Sequence, residues 1–234
     1  IKARLKKNPF KKIAGLKDYK IKRRNKNLKV IIKNQKLCPR FTDILLQRIK
    51  IKPSPQIIRQ RLAKVGLRTL NNVIDISNYL MHEFGQPVHV FDYDKIKKQN
   101  MILRESKRGE KITTLDGKSH VLPGKDIIIE DGSGQLIDLC GIMGGENSRV
   151  DTKTSRILLF VQNYEPAHIR RTSMALAQRT EAAALFEKGL DPELVMPTLI
   201  KGIQLLKKYA LSETANEITD IYPKPYKEKT IKIS

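Results

Sequence analysis

At 234 residues and 40% hydrophobic content, the chain is long enough to bury one large core or two modest ones. No apolar run approaches the ~20 residues that span a bilayer, and charges interrupt the N-terminus where a signal peptide needs an apolar stretch. Residues 1–36 hold 15 Lys or Arg against one acid, Asp18, so +14 of the +22 net charge sits there and the other 198 residues carry +8.

Residues 1–36 read as a basic arm or the end of a preceding module, a composition that suits polyphosphate partners because Lys and Arg release counterions from a nucleic-acid backbone. A Lys/Ile/Asn-biased genome yields the same composition, and both readings stay open. Cys38-Pro39-Arg40-Phe41 opens the ordered part, and Phe41–Ile51 alternates as a strand. Ser54-Pro55 predicts a helix with Ser54 as N-cap, an apolar face of Ile57, Ile58, Leu62 and Val65, and Gly66 as the stop. A second helix starts near Asn72, with Asp75 in its first turn, Val73, Ile76, Leu80 and Phe84 on one face, and Gly85 at its end.

From Met101 to Ile142 short strands and turns take over. Asp116-Gly117 marks a hairpin, Asp126–Glu130 a buried strand and Asp131-Gly132-Ser133-Gly134 a turn. Arg156–Val161 is a further buried strand. Helical patterns return at Pro166–Ala177 and at Asp191–Ala210, with Asp191 as N-cap. No repeat or low-complexity linker divides Cys38–Tyr222, which reads as one α/β unit. Ile1 in place of Met, and an ending inside an apparent strand, predict a piece of a longer chain.

There is no GxSxG elbow and no Walker motif, and His82, His89, His120 and His168 show no HxxxH or HxH spacing. Cys38 and Cys140 have no CxxC partner or neighbouring histidine and read as buried free thiols in a reducing compartment. What remains is a polar-lined pocket. Gly141-Ile142-Met143-Gly144-Gly145 lets a backbone approach a ligand closely, although a buried tight turn accounts for the same residues. His82 and His168 read as structural. His89 differs, because it follows the Gly85-Gln86-Pro87 turn and precedes Phe91-Asp92.

The order of the motifs carries more than any one of them. CPRF, NNVIDISNYLMHEFGQPVHVFD, TTLDGK, GIMGGENS, the Arg179-Thr180-Ala182 group and FEKGLDPE together resemble the B3/B4 module of the β subunit of bacterial-type phenylalanine–tRNA ligase. The resemblance covers residues 37–222, and 223–234 resembles the start of the next module, B5. It implies an α+β fold, a layered sandwich of two sheets and a helical layer, in a cytoplasmic protein. Its partners would be the ligase α subunit, in an α2β2 heterotetramer, and the phenylalanine tRNA. ATP and Mg2+ would serve the holoenzyme on the α subunit, with no cofactor or metal in this segment. In that family the module hydrolyses tyrosine wrongly esterified to the phenylalanine tRNA, using a positioned water and the terminal ribose. The pocket carried over is Ser77, Asn78, His89, Gly141, Gly144, Thr180 and Ala182.

Ser77 stands where the family usually has Thr, and Ala183 and Leu185 where it often has Ser and Arg. A larger departure is Phe160. The family commonly reads Leu-Leu-Glu where this chain has Leu158-Leu159-Phe160, and that glutamate is implied to bind the phenolic hydroxyl beside the histidine. Phe160 accepts no hydrogen bond, so the resemblance predicts weakened tyrosine editing, by about 1–3 kcal/mol of selection. Glu146 is a candidate substitute, but a turn after two glycines suits a cap or surface role. The alternatives are a structural, tRNA-binding module without hydrolysis, or a free-standing factor editing in trans.

Overall fold

The computed structural model describes residues 16–23, 27–215 and 217–225. In chain order, β1 (Ile21–Lys22), β2 (Lys29–Ile32) and β3 (Phe41–Gln47) lead to helices α1 (Gln56–Lys64) and α2 (Asn72–Phe84). Strands β4 (Val88–Asp92), β5 (Asn100–Glu105), β6 (Lys111–Thr113), β7 (Ser119–Val121), β8 (Ile127–Asp131), β9 (Leu136–Leu139), β10 (Met143–Gly144) and β11 (Arg156–Gln162) follow. Helices α3 (Pro166–Ala175), α4 (Glu181–Phe186) and α5 (Val195–Ala210), then β12 (Glu213–Thr214) and β13 (Ile218–Ile221), complete the described chain.

Strand alternation builds three layers, the expected α+β sandwich. The first sheet runs β1-β13-β3-β11-β4, with β12 also on β3, and the second runs β10-β9-β8-β5-β2. Along β11, Ile157, Leu159 and Val161 point one way, into a core shared with Ile76 and Leu80 of α2 and Leu199 and Ile203 of α5. Leu158 and Phe160 point the other way, toward Met101, Leu103, Ile129 and Leu139 of the second sheet. β11 is therefore apolar on both faces, as a strand between two layers must be.

Several local expectations change. Ile21–Lys22 and Lys29–Ile32, expected within a basic arm, pair in parallel with β13 and β5, and Leu28 is buried. Residues 1–15, 24–26 and 226–234, the rest of the arm and most of the B5-like ending, lie outside the described residues. The strand from Phe41 stops at Gln47, because Arg48 turns into left-handed backbone at φ 59°. Ser54 does not cap α1. Its hydroxyl donates instead to Asp75 Oδ2 at 2.6 Å, and that carboxylate also accepts from the Leu70 N–H at 2.8 Å. Asp75 thus clasps two loops from its expected place in the first turn of α2, where its charge also suits the helix dipole. On α1 only Ile58 and Leu62 are buried, and Ile57 and Val65 lie exposed. Asp191 caps a single 3-10 turn, Pro192–Leu194, ahead of α5.

Two polar residues lock α2 in place. Asn71 caps it, accepting from the N–H groups of Val73 and Ile74. Asn72, fully buried, donates to the carbonyls of Lys50 and Tyr209 and accepts from Lys52 N–H, joining α2 to the β3–α1 loop and the end of α5. Asn72→Ala should lower unfolding stability by about 2–3 kcal/mol, since one fully buried side chain loses three hydrogen bonds to backbone groups at once. Chemical denaturation of the two proteins measures it, and a loss within 0.5 kcal/mol, the range of a neutral surface change, would contradict it.

Candidate functional site: a glycine-walled cavity beside His89

The end of α2, the start of β4, the loop between β9 and β10 and the start of α4 surround a cavity of about 330 Å3. Six of the seven expected pocket residues line it: Ser77, Asn78, His89, Gly144, Thr180 and Ala182. A smaller chamber of about 50 Å3 adjoins it, sharing His89, Gly144 and Ala182, and it carries the seventh, Gly141. The Gly85 turn, at φ 66°, ends α2 so that β4 returns beside it and brings His89 toward Ser77 and Asn78.

Glycine is required at two places in this wall. A Cβ on Gly144 would lie 2.5 Å from Cε1 and Nε2 of His89, so the imidazole edge rests on bare backbone. Gly141 has φ 70°, and a Cβ there would lie 2.8 Å from Ile169 Cδ1. Thr180 fixes the loop to α4, donating to the Ile142 carbonyl at 2.9 Å while accepting from the Ala183 N–H at 3.1 Å. Ser77 donates to the Ile74 carbonyl at 2.7 Å, which occupies its hydroxyl proton. Among the described residues nothing hydrogen-bonds the carboxamide of Asn78 or the ring of His89.

His89 and Phe160 are direct cross-strand partners on β4 and β11. The imidazole meets Phe160 edge-on at 5.2 Å and Phe91 at 4.8 Å between ring centroids. Burial in that aromatic slot lowers the His89 pKa from 6.5 to about 4, so the ring is neutral at physiological pH. The unfolded chain takes up a proton below pH 6.5 that the folded domain takes up only near pH 4. Stability is therefore full above pH 6.5 and falls as pH drops toward 4. His89→Gln should show a smaller loss between pH 7.5 and pH 5 in urea titrations, and an equal loss in both proteins would contradict this.

Phe160 itself lines neither cavity. It is wholly buried, 4.7 Å from Phe91 and 5.8 Å from Phe41 between ring centroids. Glu146 lies in an exposed 3-10 turn, Glu146–Ser148, on the rim of a separate open cleft, and does not reach the His89 cavity. His82 pairs with Glu181 at 3.2 Å and His168 with Glu165 at 2.5 Å, each on the surface. Both cysteines are free and buried, and burial pushes both thiols up. Two polar residues that sequence reasoning passed over, Asp138 and Gln162, face the small chamber. Each breaks an apolar strand at a buried position, which is the signal that marks them.

The fold and cavity define a layered α+β domain with a cavity walled by apolar side chains, bare glycine backbone and polar groups. The chain belongs to the B3/4 domain family, whose sequence model matches residues 37–211. It is 41% identical over 207 residues to the phenylalanine–tRNA ligase β subunit of Dehalococcoides mccartyi (strain CBDB1), covering 88% of this chain and 26% of that one. The β subunit from Geobacter metallireducens is 39% identical over 203 residues, 87% of this chain and 25% of that one. This chain thus spans about a quarter of the length of the curated relatives it matches. A solved N-terminal fragment of the Pyrococcus horikoshii β subunit aligns with 69% of this chain and 51% of its own at 16% identity and a TM-score of 0.46. Among the described residues no helix is long and apolar enough to cross a membrane, and no group of three or more His, Cys, Asp or Glu is placed to hold a metal ion.

Proposed function

We propose that this domain is the editing module of a phenylalanine–tRNA ligase β subunit and hydrolyses tyrosine misattached to the phenylalanine tRNA. The ligase would act with an α subunit that carries the ATP-dependent aminoacylation. One observation supports the reading above the rest. Seven residues spread from Ser77 to Ala182 along the chain converge on two adjoining cavities. The need for such a site is physical, because a hydrophobic synthetic pocket rejects an added hydroxyl only weakly.

No side chain here is a free nucleophile, since Ser77 is committed to a backbone carbonyl and both thiols are buried. A water molecule would attack the ester carbonyl, with the terminal ribose assisting and Asn78 orienting the aminoacyl group. Deacylation of Tyr-tRNA by the complete ligase tests this. Asn78→Ala should slow hydrolysis about 10- to 100-fold, the cost of one or two hydrogen bonds in the reacting complex. Undiminished hydrolysis by the variant would remove Asn78 from the site.

The packing of Phe160 among Phe41, Phe91 and His89 favours a second reading, a structural and tRNA-binding module without hydrolysis. Absence of Tyr-tRNA hydrolysis by the complete ligase would select it. On Phe160 alone, selection for a phenol would fall about ten- to a hundredfold.

A further inference from the structure

The small chamber holds two buried polar groups that nothing above employs. Gln162 is 3% exposed and stands two residues beyond Phe160, on the same face of β11. Its Nε2 donates to Tyr164 Oη at 2.9 Å, and its Oε1 is buried with no hydrogen-bond partner. Asp138, also 3% exposed, is the cross-strand partner of Gly144 and lines the same chamber.

The neighbours fix which atoms are available. The Tyr164 hydroxyl, the Cys140 thiol and the Asp138 carboxyl are electrostatic neighbours in that order. With the Gln162 Nε2 on Tyr164, this row has one direction. Gln162 N–H donates to Tyr164, which leaves the Tyr164 O–H free to face Cys140 and the Cys140 S–H free to face Asp138. The Gln162 carboxamide thus has its nitrogen on Tyr164 and leaves its oxygen free beside the chamber. Burial raises the Asp138 carboxyl to about 8, so at neutral pH it is an acid with an O–H to donate. The chamber thus offers one acceptor and one donor. At about 50 Å3 it has room for one hydroxyl or water, which needs about 10–15 Å3 of the same measure.

We propose that Gln162 and Asp138 read the hydroxyl of the aminoacyl ester, Gln162 Oε1 accepting its proton and Asp138 donating to its oxygen, in place of any group at position 160. A hydroxyl satisfies both groups at once. A phenyl ring leaves both buried and unpaired, and a site built in this way rejects the analogue strongly. The inference rests on the editing reading above, and it turns Phe160 from a lost contact into the packing that holds β11 and His89 behind the chamber.

The test is deacylation of Tyr-tRNA and Phe-tRNA, both on the phenylalanine tRNA, by the complete ligase. The unmodified enzyme should favour the tyrosyl ester at least tenfold. Gln162→Met, near in volume but without the acceptor, should lower the Tyr/Phe ratio about 10- to 100-fold, chiefly through KM for the tyrosyl ester. Asp138→Leu should lower the same ratio. A folding defect would reduce both esters together and leave the ratio where it was. A ratio near one in the unmodified ligase overturns the proposal without any variant, as does an unchanged ratio in either variant that folds. Hydrolysis of neither ester by the unmodified ligase overturns the editing reading itself.

Discussion

Phe160→Glu will destabilise the domain by several kcal/mol instead of creating a hydroxyl-binding carboxylate. Phe160 is wholly buried between Phe41, Phe91 and His89 and touches neither cavity. Truncating a core Phe to Ala costs about 3–5 kcal/mol, and a carboxyl in the same aromatic slot adds an unpaired polar group. His89, the polar group that meets it, is neutral and offers at most one N–H. For a domain of this size each kcal/mol shifts the melting temperature by about 2–4 °C, so the drop should be about 10 °C or more. The introduced acid would have a folded pKa far above its unfolded value near 4.3, so the deficit is smallest at acid pH and grows as pH rises. Thermal melts at pH 5 and pH 8 measure both effects. A variant that melts within 2 °C of the parent at both would show that position 160 reaches solvent or a donor.

The segment from Gly66 to Asp92 was legible because its signals are local. Asn71 caps, Gly85 stops, and the 3.6-residue spacing of Val73, Ile76 and Leu80 needs no partner to be seen. The same reading failed at Ser54, whose hydroxyl found a partner about 20 residues away, Asp75, instead of capping α1. Ile57 and Val65 looked like core only because α1 has no second layer over that face.

Position 160 shows the deeper limit. A family pattern assigns it a role, but the role depends on which residue of the strand faces the chamber beside His89. That depends on the pairing of β4 with β11 and on the bulge between β8 and β9 at Ile129/Glu130, and neither is written in a local period. Asp138 and Gln162 come together only through that long-range register. The motif CPRF is intermediate. Its conspicuous residues make sense only in the fold, with Cys38 in the core, Arg40 bidentate on Asp220 at 2.9 and 3.1 Å, and Phe41 against Phe160.

Gly144→Ala isolates the cavity from the fold. Gly141 could not serve, because its φ of 70° and its contact with Ile169 would mix backbone strain with core overpacking. Gly144 lies in ordinary extended backbone on β10, so an added methyl meets the Cε1–Nε2 edge of His89 at 2.5 Å and, less closely, Leu115 Cδ1 at 3.3 Å. The imidazole cannot retreat into the core, since Phe91 and Phe160 stand against it at 4.8 and 5.2 Å. Either β10 shifts outward or the ring tilts into the cavity. Both misplace an ester held between Asn78 and the glycine wall by up to 1 Å, and a displacement of that size costs about 100-fold in rate. The stability cost should be only about 1–3 kcal/mol, the usual range for one added methylene in a packed site. The expected pattern is a folded variant, with a melting temperature lowered by roughly 3–10 °C, whose Tyr-tRNA deacylation falls about 100-fold. On the proposed reading, in which a separate α subunit carries aminoacylation, Phe-tRNA synthesis by the same complete ligase should be unchanged. Equal loss of both activities would mean that the substitution acts through the fold, and full retention of deacylation would place the reacting ester elsewhere than against Gly144.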